Sequence, residues 1–337
     1  MSAVLSMPSG YYDALKRLTA EVSGVRMGDN YQFLIETRLA SIARKEGYPS
    51  LIEMVQSMFK SGDSRLAIKM VASLLERDTH FFRDKDSLMN LSDFILPQLH
   101  KVYGPRLIKI LIIGSNSGQE AYSAAILADK LKQSSLQDLT VEFTAVDYPS
   151  EAVEKAKSGR YTHFDVQRGL PVRDMISYFT RVGEDWIVSD KLRKRIDFKE
   201  AHLLRLPDDI GTYHAIICRD MLSQFQYKVR AKFIRTITKH IKTLGYLLIG
   251  TDEHLPDMVH PWVAAGGAEI IFQKAKSQEE LIEEERAARA RRKLLSPDPE
   301  RFFEEVEVKQ EQIATDAQTE TLGDLLDELS APAARSA

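Results

Sequence analysis

A chain of 337 residues exceeds what one hydrophobic core usually holds, so two domains with additional segments are expected. With 44% apolar and 28% charged residues it has the balance of a globular protein, which excludes a largely disordered chain. No apolar run is long enough to span a bilayer, the start Met1-Ser2-Ala3-Val4-Leu5 lacks the charged and apolar regions of a leader, and one cysteine, Cys218, excludes an internal disulfide framework; a reducing, cytoplasmic location is expected. From Ser277 onward 16 acidic residues face 8 basic ones, which leaves +5 for the preceding residues against a chain total of −3. That mild excess suits an ordinary solvated surface first and an acidic protein partner second, and is too small to argue for nucleic acid.

The first eighty residues read as short helices. Tyr11, Leu15, Leu18 and Val22 fall on one helical face, as do Tyr31, Ile35, Leu39 and Ile42. Gly47 and Pro49 interrupt the pattern, and Ser50-Leu51-Ile52-Glu53 has the form of a capping box, ahead of a further helix over about 65–76. After about residue 105 the texture changes. Leu107 to Ile113 is a β-branched apolar run ending in Gly114, and an apolar-faced helix over 118–132 follows. A second strand, Val141 to Val146, ends at Asp147. Further strands are predicted at 196–200, 215–218, 246–250 and 269–273, an alternation that argues for an open, mainly parallel sheet. The stretch from Gly159 to Arg195 is less regular and reads as an insertion. Beyond Lys276 a charged helix over 279–295 and a mobile remainder are expected.

Ligands of such sheets bind at the carboxyl ends of the strands. Gly114-Ser115-Asn116-Ser117-Gly118 leaves the first strand and enters a helix, so its backbone can approach a ligand and present free amides. As a bare pattern it is equally a plain turn. Asp147, ending the second strand, can accept both hydroxyls of a ribose, or can cap the helix over 149–157. Together the loop and the acid favour a nucleoside ligand.

Longer strings narrow the reading. Asp78-Thr79-His80-Phe81-Phe82-Arg83-Asp84, Ser117-Gly118-Gln119-Glu120-Ala121-Tyr122-Ser123, Ala156-Lys157-Ser158-Gly159-Arg160-Tyr161, Val166-Gln167-Arg168-Gly169-Leu170-Pro171, Cys218-Arg219-Asp220 and Gly245 to Gly250 occur in order, after Leu34-Ile35-Glu36-Thr37-Arg38-Leu39. Over about residues 10–275 the chain resembles the CheR family, the chemoreceptor glutamate methyltransferases. The resemblance implies an α/β protein: a small helical N-terminal domain (1–85) and a Rossmann-like S-adenosylmethionine methyltransferase domain (86–276) with a small antiparallel β insertion (about 160–195); the composition beyond it adds a charged helical or disordered tail (277–337). It implies S-adenosylmethionine as cofactor and glutamates on the cytoplasmic helices of chemoreceptors as substrate. Carried over by position, Thr79, Arg83, Glu120, Asp147, His202, Leu203, Arg219 and Asp220 surround the cofactor. Asp147 holds the ribose and Glu120 faces the methionine end. Arg83 is the candidate catalytic residue, orienting the incoming carboxylate, with a plain structural ion pair as the alternative. The stretch from Phe179 to Phe198 looks shorter than in members that tether a receptor's C-terminal peptide, so no tether is expected.

Four positions depart from the family's pattern. Arg77 replaces an Asn before the Thr-x-Phe-Phe-Arg string, His202 an Asn near the adenine, Asp220 an Asn after the arginine, and Gln224 a Tyr near the reacting groups. Asn donates and accepts, whereas ionised Asp only accepts and Arg only donates. Two readings therefore stand: an active glutamate methyltransferase with an altered pocket, and a degenerate member that binds receptor or cofactor without turnover. The histidines show no metal-ligand spacing, and no metal is expected. Leu322, Leu325, Leu326 and Leu329 share a helical face that suits a partner's groove, and an unbound end suits them equally.

Overall fold

The computed structural model describes residues 7–28, 31–75, 78–148, 150–257 and 260–277, and beyond them residues 280, 282, 283, 286 and 287. Two compact units divide the chain, Met1–Ala275 and Lys276–Ala337. In the second unit the expected helix over 279–295 is described only at those last five positions, all helical, and the four tail leucines lie outside the described residues.

Four helices open the first unit: α1 (Ser9–Ser23), α2 (Tyr31–Lys45), α3 (Leu51–Ser61) and α4 (Ser64–Leu74). They enclose a core of their own around Leu15, Ile35, Leu39, Met54, Leu66 and Met70. The buried face of α1 is Tyr12, Leu15 and Thr19, one position away from the predicted Tyr11 and Leu18. Thr19 can take a core position because its hydroxyl donates to the Leu15 carbonyl at 2.8 Å. The capping box at α3 forms only in part. Ser50 Oγ accepts the Glu53 amide (3.2 Å), but the Glu53 carboxylate takes the Ser50 hydroxyl (3.0 Å) rather than its amide. α4 is capped by Asp63, which accepts the Leu66 amide at 3.1 Å.

A nearly continuous helical stretch follows, α5 (Lys85–Asn90), a π-helical turn over Leu91–Ile95 and α6 (Leu96–Tyr103). Then come β1 (Ile108–Ile113), α7 (Gln119–Ser134), β2 (Val141–Asp147) and α8 (Ser150–Ser158). The insertion comprises β3 (Arg160–Thr162), α9 (His163–Gln167), α10 (Val172–Tyr178), β4 (Phe179–Val182), β5 (Asp185–Val188) and α11 (Asp190–Arg193). The sheet resumes with β6 (Ile196–Glu200), β7 (Tyr213–Cys218), α12 (Tyr227–Lys239), β8 (Ile241–Ile249), β9 (Trp262–Ala265) and β10 (Ala268–Lys274).

The result is a mixed α/β fold with a helical region and a β insertion. The main sheet has seven strands in the order β6-β2-β1-β7-β8-β10-β9. The first five are mutually parallel, and β10 runs antiparallel to both neighbours. β1 is buried on both faces, which is why Ile110 to Ile113 carries no polar alternation. Strand order reverses beside β1, whose neighbours are β2 and β7, and such a switch point leaves a crevice at the carboxyl edge. The insertion is a separate antiparallel sheet, β3-β5-β4. No helix among the described residues is long and apolar enough to cross a membrane.

Candidate active site

A cleft of about 1040 Å³, counting its open mouth, lies at the carboxyl edge of β1, β2 and β7. All eight residues singled out from the sequence line it: Thr79 and Arg83 from the turn before α5, Glu120 from the start of α7, Asp147 from the end of β2, His202 and Leu203 after β6, and Arg219 and Asp220 after β7. Arg77 lies outside the described residues.

The floor is the loop that leaves β1. The Gly114 and Ser115 amides both donate to the Val146 carbonyl, at 3.0 and 3.2 Å, which ties the loop to the end of β2. Gly114 has φ +79°, and a Cβ there would stand 2.7 Å from Met221 Sδ. Asp147 is 6% exposed; one carboxylate oxygen accepts the Asn116 amide and the other the Tyr148 amide at 2.5 Å. Asp147 therefore braces the glycine loop while lining the cleft.

The charged side groups are paired. Arg219, nearly buried, donates to the carbonyls of Arg83 and Asp84 (3.2 Å to the latter) and places Nε 3.0 Å from Glu120 Oε1. Those last two atoms lie close but off the hydrogen-bond direction, so they meet as charges. Burial, more than any neighbour, pushes the Glu120 carboxyl above the usual carboxylate range, and Arg219 acts against it. Arg83 donates through Nη1 to the Asp78 carbonyl at 2.6 Å and faces Asp220 Oδ2 from Nη2 at 3.3 Å. The guanidinium expected to receive a substrate carboxylate is thus already engaged by Asp220.

His202 bonds at both ring nitrogens. Nε2 donates to the Val22 carbonyl at 2.7 Å, and Nδ1 accepts the Leu204 amide at 3.2 Å, which fixes the tautomer. The Gln224 amide turns inward and donates to the Asp220 carbonyl at 2.6 Å.

Two contributors to the site have no local signal in the sequence. The first is the segment after α1, where Val25 bridges antiparallel to Phe225, the Arg26 amide donates to the Gln224 carbonyl (3.0 Å) and the Gln226 amide to the Gly24 carbonyl (2.9 Å). With Val71 and Leu75 of the α4 region, Val22 and Val25 give the cleft an apolar wall. The second is Glu253, 3% exposed, whose carboxylate accepts the amides of Asp220, Ser223 and Gly250, each at 2.9 Å. It fixes the loop that carries Asp220. Backbone strain gathers at the same place: Phe82, Asp84, Asn116 and Asp220 have positive φ, and non-glycine residues keep such angles only where their surroundings enforce them.

This donor set fits a charged nucleoside. Asp147 supplies acceptors at the position a ribose diol takes in related sheets, and a carboxylate accepts up to about four hydrogen bonds, so bonds to the loop amides and to a diol are compatible. The apolar wall offers a surface for a base. Among the described residues no group of three or more His, Cys, Asp or Glu side chains could hold a metal ion. Cys218 is buried, and burial raises its thiol well above the ordinary range, away from nucleophilic use.

A family model described as CheR methyltransferase, SAM binding domain, matches residues 77–268. The chain is 28% identical over 259 residues to chemotaxis protein methyltransferase 1 of Pseudomonas aeruginosa, covering 75% of this chain and 94% of that one. Similar relatives occur in Pseudomonas putida (26% over 247 residues, 72% of this chain and 90% of the other) and Vibrio parahaemolyticus (28% over 258 residues, 76% and 92%); both are chemotaxis protein methyltransferases.

Proposed function

We propose, from the premise that this chain belongs to the CheR methyltransferase family, that it is a cytoplasmic protein-glutamate O-methyltransferase acting on the cytoplasmic helices of chemoreceptors. The strand order β6-β2-β1-β7-β8-β10-β9, which is 3-2-1-4-5-7-6 when only the strands of the main sheet are numbered, is read as a Rossmann-like methyltransferase domain, and S-adenosylmethionine is the proposed cofactor. The observation that carries this reading is convergence: eight side chains from five separate stretches of chain line one cleft at the switch point of the sheet.

When bound, S-adenosylmethionine supplies a methyl group made electrophilic by a sulfonium. A carboxylate is already a nucleophile at neutral pH, so no residue here need act as a base. Its charge and the sulfonium's cancel on transfer, which rewards alignment and exclusion of water. Asp147 and the Gly114–Gly118 loop hold the nucleoside, and Glu120 holds the cationic end. The Val25–Phe225 bridge shields the cleft on the side of the helical region. Arg83 orients the incoming carboxylate with charge-assisted hydrogen bonds, sharing its fork with Asp220.

The test incubates purified protein with methyl-labelled S-adenosylmethionine and the cytoplasmic fragment of a methyl-accepting chemoreceptor. Base-labile label on the receptor, released as methanol, is the expected result. A second reading, a non-catalytic module that binds receptor or cofactor, is favoured by the occupied Arg83 and by Gln224 and His202, whose side-chain nitrogens are engaged by protein groups. Cofactor binding without label on the receptor selects that second reading, and absence of cofactor binding rejects the methyltransferase.

A further inference from the structure

Five charged side chains gather where β7 and β8 end and α7 begins. Two are arginines, Arg83 and Arg219, and three are carboxylates, Glu120, Asp220 and Glu253. They form two ion pairs, Arg219 with Glu120 and Arg83 with Asp220, plus one carboxylate cradled by three backbone amides. With every member ionised the cluster carries one net negative charge. Four of its members line the cleft, and Glu253 sits directly behind, bonded to the Asp220 amide.

We infer that Asp220 sets the charge preference of the cleft, so that this chain favours the cationic methyl donor S-adenosylmethionine over its neutral product S-adenosylhomocysteine. The inference rests on the reading of the cleft as the cofactor site. Donor and product differ by one methyl group and one unit of charge, so the local field discriminates between them where shape hardly can. Burial is the largest cause raising the Glu120 and Glu253 carboxyls, and Asp220 adds to both. Three carboxylates against two guanidiniums leave negative charge at this end of the cleft under-compensated, and a cation placed there relieves it. The Asp220 carboxylate is held in place: its backbone sits at φ +57°, its amide is bound by Glu253 and its carbonyl by Gln224. A Cβ at Gly250 would stand 2.7 Å from Asp220 Oδ1, so the absence of a side chain there leaves room for the carboxylate.

The decisive variant is Asp220→Asn, which removes the charge, keeps the shape and tolerates the left-handed backbone as well as Asp does. Calorimetry on the full chain, wild type and variant, measures Kd for S-adenosylmethionine and for S-adenosylhomocysteine at low salt. The substitution is expected to weaken the donor about tenfold and to change the product by less than about threefold, as expected for one unit of charge in a half-buried site. Equal shifts for the two ligands would mean a lost contact rather than a lost charge, and would overturn the inference, as would no shift at all. Failure of both ligands to bind the wild type overturns the cofactor reading as well. A measurement on wild type alone guards against an unstable variant: sinefungin, in which a protonated amine replaces the sulfonium, should bind with donor-like rather than product-like affinity. Product-like binding of sinefungin counts against the inference.

Discussion

The Tyr161 hydroxyl donates to the Ser117 carbonyl at 2.6 Å, so the first strand of the insertion holds the loop that floors the cleft. Tyr161 is fully buried and packs edge-on against Phe81, with centroids 5.0 Å apart. A Cβ on Gly118 would stand 3.0 Å from the same hydroxyl, which leaves no room to slide the loop. Tyr161→Phe keeps the ring contacts and strands a buried carbonyl, so stability in urea should fall by about 1–2 kcal/mol. S-adenosylmethionine should bind severalfold more weakly as the loop loosens. Unchanged binding in calorimetry would detach the insertion from the site.

Gly169 meets Phe81 more closely still. A Cβ there would lie 1.9 Å from the Phe81 carbonyl oxygen, at φ +83°. Beside it Arg168 pairs with Asp78 at 3.0 Å, so the segment that carries Thr79 and Arg83 is pressed onto the insertion. Gly169→Ala must displace backbone and should cost more than about 3 kcal/mol, against about 1 kcal/mol for Gly62→Ala, which has positive φ but open space. Paired urea melts compare the two, and similar losses would show that the close approach is relieved cheaply.

Glu253 gives a third test. Its Oε2 accepts two amides and its Oε1 one. In Glu253→Gln the single amide oxygen can serve the first two, but the new NH₂ then faces the Ser223 amide. A donor against a donor should cost about 1–3 kcal/mol in a buried site. Because the clamped loop carries Asp220, cofactor affinity should fall together with stability. A drop in the melting temperature at full affinity would separate Glu253 from the site.

These relationships divide by how far the sequence exposes them. β1 is legible because a strand buried on both faces is an apolar run that ends where burial ends, and β2 and β6 because their buried apolar residues alternate with polar, less buried ones at their starts. β9 escapes because it has four residues, two of them exposed, between Pro261 and Gly266. The helical stretch Lys85–Tyr103 goes unnamed although Leu88, Leu91, Ile95 and Leu99 fall at helical spacing, and its π turn shifts the register midway. Within the cleft, Asp147 and the Gly114 loop can be read because chemistry at strand ends is a property of the sheet. Glu253, directly behind the cleft, and Val25, on its wall, cannot, since each belongs to a stretch with no motif of its own. The occupation of Arg83 by Asp220 is likewise a fact of tertiary distance, invisible in a string that shows only an arginine and an aspartate far apart.

His214, on β7, gives a pH test independent of the cleft. Its ring is 4% exposed, Nδ1 accepts the Lys109 amide at 2.9 Å, and Nε2 lies 2.9 Å from Lys242 Nζ. Burial, and then the Lys242 charge, hold the imidazole down at about 4 from an ordinary 6.5. Above pH 6.5 the ring is neutral in folded and unfolded chains alike. Between 6.5 and 4 the unfolded chain binds a proton that the folded chain refuses, so stability falls as pH falls across that window. The loss should reach roughly 1–3 kcal/mol by pH 4. His214→Asn can still accept the Lys109 amide but has nothing to protonate, so its urea stability should decline less steeply over the same window. Carboxylates elsewhere add the same background to both chains, so the difference between the two curves isolates the ring. Parallel curves from pH 7 to pH 4 would mean that the folded protein protonates His214 as readily as the unfolded chain does.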